Sequence, residues 1–362
     1  MKIVFSKRAI SHLYRFVNVI NKLKGENIII KVEKDKLYYI YKDSNLIIYL
    51  ITKVKPIDKD ICISVYRKNI LNMLKTNVGK VKVIIDILKR KLYIRDNVKK
   101  YINRSFLIKN YLIEKERFNE LSGVFLDTST ILDIFVVGNV GIKKYIKEEY
   151  ASFVVNKKKL TYFTYDEYRM LVIRTLCSIP NTNLKVVISS LVLGILHKVL
   201  ITSKKNLFKL EVDKKSIIIT VENIIIKSGI LSINRVNYKD IVKKEKGYNY
   251  IYIYRKELKE AIELFKKISS KKDSYFILEI SKEHIYLKHK VSEIEQVESK
   301  INVYKGKCRG LKIKLNTEFI REFIGSLKEK YVVIGLKNEL SKMFLISKSE
   351  EREIIYCIMP LA

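Results

Sequence analysis

Residues able to do covalent chemistry are sparse in this chain and poorly spaced for it. Cys62, Cys177, Cys308 and Cys357 lie far apart and form no CxxC pair, so neither a zinc site nor a disulfide framework can be read from them. They read as reduced thiols. His12 and His197 fall in helical stretches and His284 and His289 in an alternating one, none with a carboxylate at a telling distance. There is no Walker loop, Gly-x-Gly-x-x-Gly or nucleophile elbow. Gly138-Asn-Val-Gly141 is too short to cradle a phosphate and follows a helical stretch, so it reads as a helix end. The expectation is a protein that is not an enzyme, with no catalytic residue, no metal site and no cofactor.

What remains is electrostatics. The chain holds 72 Lys and Arg against 38 Asp and Glu, a formal net charge of +34. A globular protein so basic attracts polyanions, of which nucleic acid is the commonest. Codon bias towards Lys, Ile and Tyr raises the same count, so charge alone does not decide the matter. No apolar run reaches bilayer length, and Met1-Lys2-Ile3-Val4-Phe5-Ser6-Lys7-Arg8 is too short and too soon charged for a secretory signal. A cytoplasmic (nucleoid-associated) location without a membrane partner is therefore expected.

The elements that must position this charge repeat along the chain. Six times a short apolar strand runs into an amphipathic helix. The strands are Lys2-Ile-Val-Phe5, Ile61-Cys-Ile-Ser-Val65, Gly123-Val-Phe-Leu126, Leu184-Lys-Val-Val-Ile188, Tyr250-Ile-Tyr-Ile-Tyr254 and Leu311-Lys-Ile-Lys-Leu315. The helices start near Ser6, Tyr66, Asp127, Ser189, Arg255 and Asn316, about sixty residues apart. Their apolar residues recur at spacings of three and four, as in Ile10, Leu13, Phe16, Val17 and Ile20. Ser6, Asp127, Ser189 and Asn316 are residue types that cap the first turn. Period-two stretches follow each helix, such as Val81–Ile85 and Lys91–Arg95.

One strand–helix–strands unit leaves a sheet edge and a helix face exposed, and two side by side cover them. The fold class is therefore α+β, with three tandem domains of two units each: 1–117, 118–243 and 244–362. The charged stretches Glu114–Glu120 and Val242–Tyr248 read as the linkers.

This architecture resembles the bacterial DNA sliding clamp, the beta subunit of DNA polymerase III, over essentially the whole chain. Tyr356-Cys-Ile-Met-Pro-Leu-Ala362 is similar to the clamp's ending of Tyr, two apolar residues, Met-Pro and an apolar residue. Thr164-Tyr-Asp-Glu-Tyr-Arg-Met170 resembles its Thr-Asp-Gly-His-Arg-Leu, and Asn234-Arg-Val-Asn-Tyr-Lys-Asp-Ile241 its Gly-Arg-Phe-Pro-Asp-Tyr. The chain departs from the family at Glu167-Tyr168, at Asn237, at Ser189-Ser190 and in its basic balance.

The resemblance implies a head-to-tail homodimeric ring with helices inside and sheets outside. It implies a processivity factor that encircles double-stranded DNA without sequence specificity and tethers the replicative DNA polymerase, with a clamp loader as a further partner. DNA-facing residues would be Lys24, Arg67, Lys68 and Lys75, with Lys143, Lys144 and Tyr145 in a loop. A pocket for partner peptides would draw on Tyr168, Arg169, Met170, Tyr238, Ile241, Asn316, Phe319, Met343, Ile358, Met359, Pro360 and Leu361. The dimer edges would carry Lys99, Lys100, Arg104, Phe106 and Ile108 on one side and Glu293, Glu295 and Glu298 on the other. The rival reading is a basic, non-ring DNA-binding or architectural protein with a clamp fold.

Overall fold

A computed structural model describes residues 2–21, 23, 27–56, 60–74, 82–86, 91–95, 100–104, 106–107, 123–142, 150–177, 182–213, 215–230, 242, 247–268, 275–281, 283–290, 296–306 and 310–361. These form two compact units, 1–128 with 191–230 and 129–190 with 231–362.

Each predicted helix start holds a helix that begins there or one residue later: α1 Lys7–Val19, α2 Arg67–Leu74, α3 Thr128–Ile142, α4 Ser190–Ile201, α5 Arg255–Ile268 and α6 Thr317–Ser326. Ser6 Oγ accepts from the Ala9 amide at 3.2 Å, and Asn316 Oδ1 accepts from the Glu318 and Phe319 amides at 3.0 and 3.1 Å. First-turn amides have no helical partner, so these caps fix where both helices start. The stripe of α1 is buried as its spacing requires, with Ala9, Leu13, Phe16 and Val17 all at 0% exposure. Truncating Phe16 to Ala would cost about 3–5 kcal/mol. Gly138-Asn-Val-Gly141 lies in the last turn of α3, which ends at Ile142, so the stretch is a helix end as its sequence suggests. At Gly138 the helix comes so close to Tyr162 that an added Cβ would sit 3.1 Å from its hydroxyl oxygen.

Strands β1 Lys2–Val4, β5 Ile61–Tyr66, β10 Val124–Asp127, β14 Thr182–Ser189, β18 Asn249–Tyr254 and β22 Leu311–Asn316 precede the helices. None of them pairs with the strand that directly follows its own helix. β1 pairs with β6 (Lys82–Asp86), beyond α2, while β5 pairs with β2 (Asn27–Glu33), beyond α1. The same exchange joins β10 to β15 (Leu207–Val212) and β14 to β11 (Tyr150–Lys157). It recurs between β18 and β23 (Tyr331–Leu336) and between β22 and β19 (Tyr275–Ile280). Neighbouring halves are thus interlocked, which the sequence pattern does not reveal.

The first unit holds β3 (Lys36–Lys42), β4 (Leu46–Lys53), β7 (Lys91–Arg95), β8 (Lys100–Arg104), β9 (Phe106–Leu107), β16 (Ser216–Val221) and β17 (Ile224–Gly229). Its sheets run β1-β6-β7-β8 and β10-β15-β16-β17-β4-β3-β2-β5-β9. The second unit adds β12 (Lys159–Tyr165), β13 (Arg169–Leu176), β20 (His284–Lys290), β21 (Gln296–Lys305), β24 (Met343–Lys348) and β25 (Arg352–Ile358). Its sheet runs β14-β11-β12-β13-β25-β24-β23-β18-β21-β20-β19-β22. Side chains alternate along β4, inward at Leu46, Ile48 and Leu50. The buried Tyr39 of β3 packs on Phe16 and donates its hydroxyl to the Ala9 carbonyl at 2.8 Å, tying α1 to the sheet.

Candidate peptide-docking edge, DNA-facing cations and open strands

The candidate docking site begins at the turn between β12 and β13. Asp166 accepts from the amides of Tyr168 and Arg169 at 2.9 and 2.8 Å and from Arg169 Nε at 2.8 Å. A short Asp side chain that bonds the backbone two and three residues on builds such a turn. The turn pushes Tyr168 outward, 55% exposed, and draws the Arg169 side chain in. The Arg169 guanidinium lies 4.1 Å from the centre of the Phe319 ring and 3.5 Å from both the Glu322 carboxylate and the Tyr356 hydroxyl. Burial works against its charge, but Tyr356 and Asp166 outweigh it and hold the Arg169 pKa above its ordinary value. Burial also raises the Glu322 pKa, only partly offset by Arg169. Tyr356 stacks on Phe323 at 4.6 Å and completes the floor.

The end of the chain is held against this floor. The Met359 amide donates to the Tyr168 carbonyl at 2.8 Å and the Leu361 amide to the Lys314 carbonyl at 2.9 Å. Pro360 between them has no amide hydrogen, so strand pairing stops there and the chain turns. Met359 is left 45% exposed, with Pro360 and Leu361 half-buried. Phe319 is half-buried, and Asn316 caps the helix that carries it.

Three expected pocket residues belong instead to the core. Met343 and Ile358 face each other across β24 and β25 and are fully buried. Met170 packs among Phe163, Val172, Phe344, Ile355 and Cys357. With Arg169, which is as buried as Met170 at 4% exposure, they support the site from beneath, because residues so buried offer a docking peptide almost no surface. Tyr238 and Ile241 lie outside the described residues. Asp166 and Glu322 were missed by the sequence reading. The signal for Glu322 was its position three residues after Phe319, on the same helix face.

Among the DNA-facing candidates, Arg67 is corrected. It is 6% exposed, and its guanidinium donates to the Ile20 and Leu23 carbonyls at 2.7 and 2.8 Å. Lys198 of α4 donates to the Val19 carbonyl at 3.2 Å. α1 has no basic residue in its own last turn, so cations from two other helices bond the carbonyls at its end. Lys68 is exposed. Lys24, Lys75, Lys143, Lys144 and Tyr145 lie outside the described residues. Lys7 and Arg8 on α1 and Lys256, Lys259 and Lys267 on α5 are further exposed helical cations.

Of the edge residues, Lys100 and Arg104 lie on β8, the last strand of the four-stranded sheet, and Phe106 on β9, the last of the nine-stranded one. Glu298 lies on β21, 3.5 Å from Lys288. Residues 296–301 of β21 pair with β20 on one side and, among the described residues, with no strand on the other. Lys99, Ile108, Glu293 and Glu295 lie outside the described residues.

A cleft of about 560 Å³ runs along the β4–β17 joint of the first unit, lined by Ser44, Asn45, Asp213, Lys215 and Lys227 among others. Nothing in its chemistry matches the docking edge, whose features are exposed apolar side chains on a buried charged floor. Among the described residues no group of three or more His, Cys, Asp or Glu could hold a metal ion. No described helix is long and apolar enough to cross a membrane.

Residues 244–362 match the family model of the DNA polymerase III beta subunit, C-terminal domain. No curated protein sequence matches the chain. Among solved structures, the DNA polymerase III subunit beta of Pseudomonas aeruginosa is similar at a TM-score of 0.85 and 16% identity, covering 100% of both chains. Pol III beta of Caulobacter crescentus gives 0.86 at 14% identity, again over 100% of both. The DNA polymerase sliding clamp of Bacillus subtilis gives 0.85 at 15% identity, covering 100% of this chain and 99% of the other. The sliding-clamp fold thus extends over the whole chain, and the family signature over its last third.

Proposed function

We propose that this chain is a DNA sliding clamp, a processivity factor that closes as a head-to-tail homodimer around duplex DNA and tethers a replicative polymerase. Its three domains are 1–117, 118–243 and 244–362, each made of two interlocked halves. One observation carries the reading. Both joints within the chain follow one rule: the last strand of a domain's first half pairs with the last strand of the next domain's second half. β4 meets β17 and β13 meets β25. The rule leaves residues 296–301 of β21 at one end of the chain and β8–β9 at the other, complementary and, among the described residues, not joined on their outer side. A second copy satisfies both, which removes every open edge of this kind and closes a ring.

A closed ring is linked to DNA topologically, so its lining needs only exposed cations that attract phosphates without reading bases. Lys68, Lys256, Lys259 and Lys267 have that character. Polymerase and clamp loader would dock by short peptides on Tyr168, Phe319, Met359, Pro360 and Leu361. Such a peptide buries little area, which suits micromolar affinity and exchange of partners. The deciding test is retention on DNA. The chain should stay on a closed circle after a high-salt wash and run off once the circle is cut. Equal loss from both forms would leave the rival, a basic DNA-binding protein with a clamp fold, and light scattering would then give a monomer mass.

A further inference from the structure

On the last third of the chain, four tyrosines and two lysines share a surface. Tyr252 and Tyr254 project from the same face of β18, alternating with buried Ile251 and Ile253. Tyr254 sits opposite Tyr331 of β23. The Tyr254 ring centre lies 5.6 Å from that of Tyr304 on β21 and 5.0 Å from that of Tyr331. Tyr304 and Tyr331 stack at 4.9 Å and 29°. Lys330 Nζ is 5.6 and 5.2 Å from the centres of Tyr254 and Tyr331, and Lys305 Nζ is 5.9 Å from that of Tyr252. Tyr304 is 58% exposed although one face is stacked, so its other face meets solvent.

Aromatic rings flanked by cations form a surface on which bases stack and phosphates are neutralised. We infer that Tyr252, Tyr254, Tyr304 and Tyr331 with Lys305 and Lys330 form a binding platform for single-stranded nucleic acid, distinct from the duplex-lining helices and the peptide site. Spacing favours one strand over two. Cα atoms two residues apart on a strand are roughly 6.6 Å apart, about twice the 3.4 Å rise of stacked bases. Consecutive bases of an extended single strand can rest on rings so spaced, whereas a stacked duplex cannot open to them. The Tyr331 phenol, whose pKa hydrogen bonding with Tyr254 raises further to about 12, is uncharged at neutral pH and does not repel phosphate. Glu257, the acid on the following helix turn, accepts from the Asn302 amide. A proline-rich peptide also docks on aromatic grooves, but it would have no use for the two lysines.

The test is fluorescence anisotropy of the full chain with a labelled oligo-dT, an abasic strand of equal length and a duplex. Tyr304→Ala should weaken oligo-dT binding roughly five- to hundred-fold and leave the duplex and the abasic strand unchanged. Tyr304→Phe should bind oligo-dT like the parent, and Tyr252→Ala should weaken it in the same direction. The variants change exposed side chains, and unchanged melting curves would verify their folding. Equal affinity of parent, Tyr304→Ala and Tyr252→Ala for oligo-dT overturns the platform, as does a loss that extends equally to the abasic strand. A proline-rich peptide that binds the parent but not Tyr304→Ala, with oligo-dT unaffected, reassigns it. The duplex arm keeps this outcome separate from that of the ring.

Discussion

The joints inside the chain and the edges left open at its ends are made of different side chains. Across β17 and β4 the pairs are Ile224 with Leu50, Ile225 with Tyr49 and Ile226 with Ile48. Across β13 and β25 they are Leu171 with Tyr356, Val172 with Ile355 and Ile173 with Ile354, with a single 2.8 Å ion pair, Arg174 to Glu353, near the end. The strands left open among the described residues read Lys-Tyr-Ile-Asn-Arg at Lys100–Arg104 and Gln-Val-Glu-Ser-Lys at Gln296–Lys300. Apolar pairing barely responds to salt and is strong where buried, whereas exposed charge pairs are weak and screened. The same strand-to-strand geometry can therefore make a permanent joint or one that opens, according to what lines it. The proposed ring would need both, because it would have to part to admit DNA while its domains would not.

The sharpest break of this contrast is to put a charge into a permanent joint. Ile226 and Ile48 are fully buried opposite each other. Ile226→Asp should cost at least the roughly 2–5 kcal/mol of a large-to-small core change, with desolvation of the carboxylate added. Thermal unfolding should show a fall of many degrees or loss of the fold. A midpoint within a degree or two of the parent would mean that the joint is not part of the core.

At the open edge the expected effect is smaller and of another kind. Lys100→Glu with Arg104→Glu should shift dimer towards monomer by roughly ten- to hundred-fold in dissociation constant, about 1.4 kcal/mol per tenfold. The shift should shrink as salt rises, and the monomer should melt where the parent does. Sedimentation or light scattering across salt concentrations reads this directly. Glu298 already lies beside Lys288, so Glu298→Gln should do less than the double reversal. An unchanged dimer mass would remove this edge from the ring.

How much of this was legible in the sequence follows from the range of the interactions. Helix starts depend on local chemistry, so Ser6 and Asn316 could be read as caps, and the 3.6-residue stripe identified the buried face of α1. Which strand pairs with which depends on chain closure over tens of residues, so the exchange of first strands between halves left no local mark. Arg67 was misread for a related reason: an Arg at a helix start looks like surface charge until the neighbouring helix is seen to end against it. At the candidate docking edge the resemblance singles out Tyr168, Met359, Pro360 and Leu361, and all four keep exposed surface, Tyr168 because it stands in a turn. The burial of Met343 and Ile358 was not legible, since their strands are central in a sheet whose order the sequence does not state.

The contrast between structural and free cations gives the next prediction. Arg67→Ala leaves the Ile20 and Leu23 carbonyls without these bonds, so stability should fall by about 1–3 kcal/mol, with the salt dependence of duplex binding unchanged. Lys256→Gln, Lys259→Gln and Lys267→Gln together should do the reverse. The melting point should hold, while the slope of log affinity against log salt falls by about 0.9 for each phosphate no longer neutralised. If Arg67→Ala flattens the slope instead, its guanidinium reaches DNA and the capping role is secondary.

The smallest expected effect concerns the docking edge and separates its floor from its rim. Met359 is exposed, and its backbone amide, not its side chain, holds the chain end to Tyr168. Met359→Ala therefore keeps the tether and removes only a thioether that a peptide's apolar anchor would cover. Side chains of this kind at an interface are typically worth about 1 kcal/mol, or about fivefold in affinity. A polymerase-derived peptide should bind Met359→Ala about fivefold more weakly, with an unchanged melting curve. Arg169→Ala is the contrasting arm, since it leaves Asp166 and Glu322 without their cation at the floor. It should lower the melting point, and peptide affinity should fall with it because Tyr168 and Phe319 lose the group that positions them. If Met359→Ala melts early while peptide binding is unchanged, Met359 is packing, and the rim must be sought at Tyr168 alone.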